Sequence, residues 1–157
     1  MIPGLIAGLV VGAVAVTLLF VGLMRRRMIE VVRSPFATVE ETVTALERAI
    51  GQSDGWSHPG TRDLNGMMAK HGVAFGPRVR LVEMCKASYS AGVLQTDRHV
   101  ATLMPCAVAV YEDDEGAVWL SKLNLKLMGK VFGGNVGRIM GEQVAGEEER
   151  MLASLRR

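Results

Sequence analysis

Cys85 and Cys106 are the only thiols in the chain, and two cysteines at this separation support three kinds of chemistry. As a disulfide they would close a loop of about twenty residues and contribute roughly 3 kcal/mol in the chain-entropy model. As a redox or metal site, two thiolates supply soft ligands for copper, zinc or a cluster, with His58, Met84 or Met104 as further donors. As buried small apolar residues they need no chemistry at all. Topology decides among these readings. If residues 86–105 cross over between parallel strands, the two sulfurs lie about a strand length apart, ~17–20 Å, and no single-chain bridge can form. Antiparallel pairing, or a second subunit, brings them together.

Other chemistry is sparse. His58, His71 and His99 show no metal-ligand spacing with one another or with the cysteines. Gly129 to Gly134 contains Gly-Lys but no Gly-x-x-x-x-Gly-Lys-Ser/Thr, and no Gly-x-Ser-x-Gly elbow is present. Asp113, Asp114 and Glu115 read as a solvated turn. Two glycine rows are less ordinary. Gly4, Gly8 and Gly12 recur every fourth residue, the small-xxx-small geometry of paired membrane helices. Gly129, Gly133, Gly137 and Gly141 repeat the spacing near the C-terminus. In a continuous helix each of these would cost up to about 1 kcal/mol relative to Ala. Either close packing against a subunit, partner or ligand offsets that cost, or Gly133-Gly134-Asn135 ends one helix and starts another; the break is the preferred reading.

The elements that must position these residues begin with an apolar run. Residues 5–24 carry no charge and stop at Arg25, Arg26 and Arg27. As a helix this run reaches roughly 30 Å, the thickness of a hydrocarbon core. It lacks the basic start and small-x-small site of a signal peptide, so it reads as a retained single-pass anchor in the cell membrane. The arginines place the following domain on the cytoplasmic side. The lipid bilayer is thus the first expected partner. A net charge of +2 and 5% aromatic residues exclude a dedicated nucleic-acid surface.

Residues 1–27 are expected as the anchor with its basic stop, 28–35 as a connector running into a strand from Ile29, and 36–157 as one domain. Thr38 and Glu41 make a capping box for a helix with Val39, Val43, Leu46 and Ile50 on one face, ended by Gly51 at C′. A turn-rich stretch holds Trp56, His58 and Pro59. Asp63 caps a short helix ending at Gly72. Strands follow over residues 78–84, 106–111 and 117–121, the last two forming a hairpin across Asp113-Asp114-Glu115-Gly116. Residues 87–94 are helix-compatible. From Asn124 onward the pattern is helical and ends in a charged tail, Glu147-Glu148-Glu149-Arg150. The fold class is α+β: one transmembrane helix, then a small mixed domain with a long C-terminal helical segment.

Thr38-Val39-Glu40-Glu41-Thr42, Glu83-Met84-Cys85 with Ala91, Leu103-Met104-Pro105-Cys106 and Val108-Ala109-Val110-Tyr111-Glu112 together resemble the family called domain of unknown function 302. The resemblance covers roughly residues 34–152 and implies a small α+β domain without an agreed activity. Members often carry Cys-Asn-Pro where this chain has Cys85-Lys86-Ala87. The expected function is a membrane-tethered binding or assembly module, a homodimer or an accessory subunit of a membrane complex, and more readily a non-enzyme than an enzyme. The alternative is a thiol-based redox or metal/haem-handling protein using Cys85 and Cys106. The cofactor is unknown at this level.

Overall fold

Strands form where β-branched residues alternate with polar ones between turn residues. The computed structural model, which describes residues 12–19, 21–23 and 27–155, has six strands among them: β1 (Ile29–Arg33), β2 (Trp56–Ser57), β3 (Thr61–Asp63), β4 (Val79–Lys86), β5 (Cys106–Glu112) and β6 (Val118–Leu123). The sheet runs β1-β6-β5-β4-β2, with β3 also on β4, and every pairing is antiparallel. The stretch expected as a connector therefore supplies an edge strand, β1, locked to β6 from Ile29 opposite Leu123 to Arg33 opposite Trp119. The turn-rich stretch likewise contains β2 and β3. Both are too short to announce themselves by alternation and exist because β4 offers them an edge.

Directly opposed residues share a face. Val82 and Val108 face Lys122 along one row, and Val110 faces Leu120 along the next. These positions, with Met84 and Val118, point into the core. Covering them is α1 (Val39–Gly51), which packs on β4 and β5. Its start is fixed by the expected box: the Thr38 hydroxyl accepts from the Glu41 amide and the Glu41 carboxylate from the Thr38 amide, both at 3.2 Å. Val39, Leu46 and Ile50 are wholly buried. Gly51 is the last helical residue and Gln52 the cap, so Gly51 does not end the helix by a left-handed turn. That conformation falls at Gly55 instead, with φ +70°. α2 (Leu64–Ala69), capped by Asp63, and α3 (Ala87–Leu94) complete the first half.

After β6, Asn124 caps α4 (Leu125–Phe132). Gly133 and Gly134 then take positive φ, +64° and +51°, a turn that side-chain-bearing residues rarely adopt. The chain reverses into α5, spanning residues 134–152: one α turn (Gly134–Val136), a π-helical stretch (Gly137–Val144) and a final α stretch (Ala145–Leu152). The C-terminal segment is thus two helices, and α5 lays Ile139, Met140, Val144, Met151 and Leu152 into the core.

Of the expected anchor, residues 1–11, 20 and 24–26 lie outside the described residues, and with them Gly4, Gly8, Arg25 and Arg26. The described portion, residues 12–19 and 21–23, is helical and followed by Arg27. Among the described residues no helix is long and apolar enough to cross a membrane.

Candidate functional site

The antiparallel register of β4 and β5 settles the question the cysteines posed. Met84 lies directly opposite Cys106, so Cys85 is one residue from the position that faces it. The crossover arrangement that would have held the thiols a strand apart is not formed; residues 87–105 make a tight excursion through α3 and a 3₁₀ turn (Arg98–Leu103) and return alongside. Strict alternation would turn Cys85 to the far face of the sheet. It sits, however, where β4 passes into α3, and its Sγ lies 3.3 Å from Ser90 Oγ of that helix. Both thiols are free and half-buried.

Cys85 and Cys106 line one cavity of about 20 Å³, together with Met84, Met104, Pro105 and, from the π-helical stretch, Met140 and Val144. A water molecule needs about 10–15 Å³ of such space. The cavity therefore has room for one water or one ion. Burial pushes the Cys106 thiol up to about 12, and the nearby charges of Glu148 and Cys85 act in the same direction. Cys106 is consequently held as a neutral thiol, the opposite of the low-pKa thiolate that fast thiol–disulfide exchange uses.

Trp56, Lys86 and Tyr89 line the same cavity. All three donate to one carboxylate: Trp56 Nε1 at 2.7 Å, Lys86 Nζ at 3.0 Å and Tyr89 Oη at 2.5 Å from Glu147. Desolvation alone would raise the Glu147 pKa, but the hydrogen bonds from Tyr89, Trp56 and Lys86 outweigh it and bring it to about 2. Reciprocally, the bond to Glu147 holds Lys86 above its ordinary range, and likewise Tyr89. The Trp56 and Tyr89 rings meet edge to face at 6.4 Å, and Lys86 Nζ stands 4.9 Å above the Tyr89 ring. The result is a sulfur-lined cavity under an aromatic cover tied down by one anion.

Behind Cys106 is a second charged cluster. Lys122, on the core face of β6, reaches Glu148 at 2.7 Å and Glu30 at 3.0 Å, with Glu148 only 2% exposed. Expected as a charged tail, Glu148 is instead buried in the interior and Glu147 half-buried at its edge. Spacing held the signal: Met140, Val144 and Glu148 recur every fourth residue, and Leu152 continues the row. A glutamate on that apolar stripe must find a cation.

The remaining expected site residues lie elsewhere. His58 is not at the cavity; its Nε2 pairs with Thr61 Oγ1 at 2.9 Å and stands 3.6 Å from Glu47. Among the described residues no group of three or more His, Cys, Asp or Glu is placed to hold a metal; besides the two thiols, the sulfurs at the cavity lining belong to Met84, Met104 and Met140. The Gly129 row does make a close contact, but within the chain. A Cβ on Gly129 would stand 2.5 Å from Gly141 Cα, and one on Gly137 2.8 Å from Gly129 O. These glycines let α4 and α5 touch backbone to backbone. Their outer side floors an open groove of about 550 Å³ flanked by Lys126, Lys130, Arg138 and Glu142. Asp113 is spent inside its own turn, accepting from Trp119 Nε1 at 2.7 Å and from the Glu115 and Ala117 amides. Gly12, the described member of the N-terminal row, has nothing within 4 Å of a Cβ position.

Comparison with known proteins agrees with this architecture. The family described as "Domain of unknown function DUF302" matches residues 30–155. A crystal structure of an uncharacterized conserved protein of that description from Bacillus stearothermophilus superposes with a TM-score of 0.70 at 17% identity. It covers 82% of this chain and 98% of the other. At that identity the likeness is one of fold. No curated protein matches the sequence.

Proposed function

The chain belongs to the DUF302 family, a family without an established activity, and from that premise we propose that it is a membrane-tethered binding or assembly module acting as a homodimer or as an accessory subunit of a membrane complex. One observation carries the tether. In the described N-terminal helix Val14, Val16, Leu18, Leu19, Val21 and Leu23 are each 46–67% exposed, and a Cβ at Gly12 or Gly22 would meet no atom. A helix that is apolar around its whole circumference needs a nonpolar surrounding, and its own domain supplies none. Each such side chain gains roughly 1.5–3 kcal/mol on leaving water. The arginine triplet that follows favours insertion with the domain on the cytoplasmic side. Assembly is supported by the far face of the sheet. There Ile29 and Val31 are about half exposed, beside the half-buried Leu81, Ala109 and Trp119.

The test is alkaline carbonate extraction of membranes containing the full chain, followed by detergent. The chain is expected to stay with the membrane in carbonate and to leave it only with detergent. Recovery in the carbonate supernatant would refute the tether. Size analysis of the detergent-extracted species then reads the assembly, which a strictly monomeric chain with no co-purifying subunit would refute.

A second reading, thiol-based redox or metal chemistry, is favoured by the cavity that Cys85 and Cys106 share. Its size limits the cargo. Sites for organic cofactors run to several hundred Å³, an order of magnitude above this one, so the cavity in this state suits an ion and not a haem. Mild oxidation with diamide tests the pair: an intramolecular disulfide between Cys85 and Cys106, found by peptide mapping, supports joint action. Absence of that bond together with absence of metal binding removes the reading.

A further inference from the structure

Resting on the second reading above, we propose that the cavity under Trp56 and Tyr89 is a site for one Cu(I) ion, held by the thiolates of Cys85 and Cys106 with thioether support from Met140 and Met84. The donor set selects the metal. Thiolate and thioether sulfurs are the ligands that soft Cu(I) prefers. Zn(II) asks for four thiolate, imidazole or carboxylate ligands; the lining offers two thiols, and the Glu147 carboxylate is occupied by three donors facing it from the cover. Space selects the stoichiometry, since about 20 Å³ accommodates one ion. The framework is preset on three elements: Met84 and Cys106 oppose each other on β4 and β5, Cys85 lies one residue before the end of β4 against Ser90, and Met140 descends from the π-helical stretch. Such stretches are often placed at functional positions.

The uptake step balances as Cu(I) displacing one proton from each thiol to solvent, two Cu–S bonds forming with no change of oxidation state. The resulting site carries one negative charge. Lys86 on the cavity wall and Lys122 behind Cys106 are each already paired with carboxylates, Glu147 for the first and Glu148 and Glu30 for the second, and Glu148 opposes the added charge.

The experiment titrates Cu(I) into the reduced full chain in mild detergent, anaerobically, against the chromophoric chelator bicinchoninate, with Ag(I) as a second probe read by native mass spectrometry. One ion per chain is expected, with sulfur-only coordination by X-ray absorption. Cys106→Ser should weaken binding at least a hundredfold, and the volume-conserving Met140→Leu about tenfold, each with a circular-dichroism melt to confirm folding. Should Cys106→Ser lose its fold, Cys85→Ser and Met140→Leu decide. No Cu(I) retained against the chelator, or unchanged affinity in the folded variants, overturns the proposal. If Cu(I) fails while diamide still joins Cys85 to Cys106, the metal site falls and the thiol pair stands; if both fail, both fall.

Discussion

Glu147 offers the sharpest test of how the cover is held, through Glu147→Gln. The native carboxylate titrates at about 2 against an ordinary 4.5. At 1.36 kcal/mol per unit this difference corresponds to about 3 kcal/mol, and with the side chain 24% exposed solvent screening brings it to about 2 kcal/mol. A folded-state pKa below the unfolded value contributes stability that is complete above about pH 4.5 and is lost as pH falls toward 2. Glutamine keeps the shape and one acceptor but forfeits the ion pair with Lys86 and points an amide at donors. At pH 7 the variant should therefore be about 2 kcal/mol less stable. By pH 3 the difference should shrink to roughly two-fifths of that value. Urea denaturation of both full-length proteins in mild detergent, followed by circular dichroism from pH 7 to pH 3, measures the gap from midpoints at unchanged slope. A gap of equal size at pH 3 and pH 7 would show that the carboxylate's charge is not what ties down Trp56, Lys86 and Tyr89.

Three further outcomes are expected. Gly129→Ala should cost about 3 kcal/mol, because its methyl would stand 2.5 Å from Gly141 Cα; Gly51→Ala, in helix α1 with nothing within 4 Å, should be neutral or stabilising by up to about 1 kcal/mol. Equal urea midpoints for the two variants would refute the helix contact. Lys122→Ala should cost about 3–5 kcal/mol by removing the ammonium from beside a carboxylate that is 2% exposed. The double change Lys122→Met with Glu148→Leu should cost markedly less, as thermal melts would read. With its thiol at about 12, Cys106 carries about 10⁻⁴ of its population as thiolate at pH 8. Iodoacetamide labelling followed by mass spectrometry should find it far slower than a free cysteine, and labelling at the free rate would refute the burial argument.

The legible parts of the fold were those whose signals are local. A Thr-x-x-Glu box opens α1 because both of its hydrogen bonds close within one turn, and the apolar spacing from Val39 to Ile50 describes a face whatever covers it. The hairpin of β5 and β6 was readable for the same reason, as was the break at Gly133 and Gly134. β2 and β3 were not, since two or three residues pair only because β4 presents an edge. Glu147 and Glu148 looked like a solvated tail because charge dominates composition there, while the four-residue spacing that carries Glu148 inward became meaningful only against Lys122. The glycines every fourth residue were expected to face a subunit, partner or ligand; Gly129, Gly137 and Gly141 face the neighbouring helix of the same chain, which only the packing of the two helices decides.

From residues alone came an α+β domain of the DUF302 family, an apolar segment in front of it, and two thiols whose relation depended on how their strands pair. Strand direction belongs to the tertiary structure, because hydrogen-bond partners are chosen by which edges the packed core leaves side by side. That choice placed Cys85 and Cys106 on a common cavity, sent His58 to another neighbourhood and brought Glu147 across to the aromatic cover. Sequence can name the sulfurs; only the packed sheet and its π-helical neighbour bring them to the lining of one cavity.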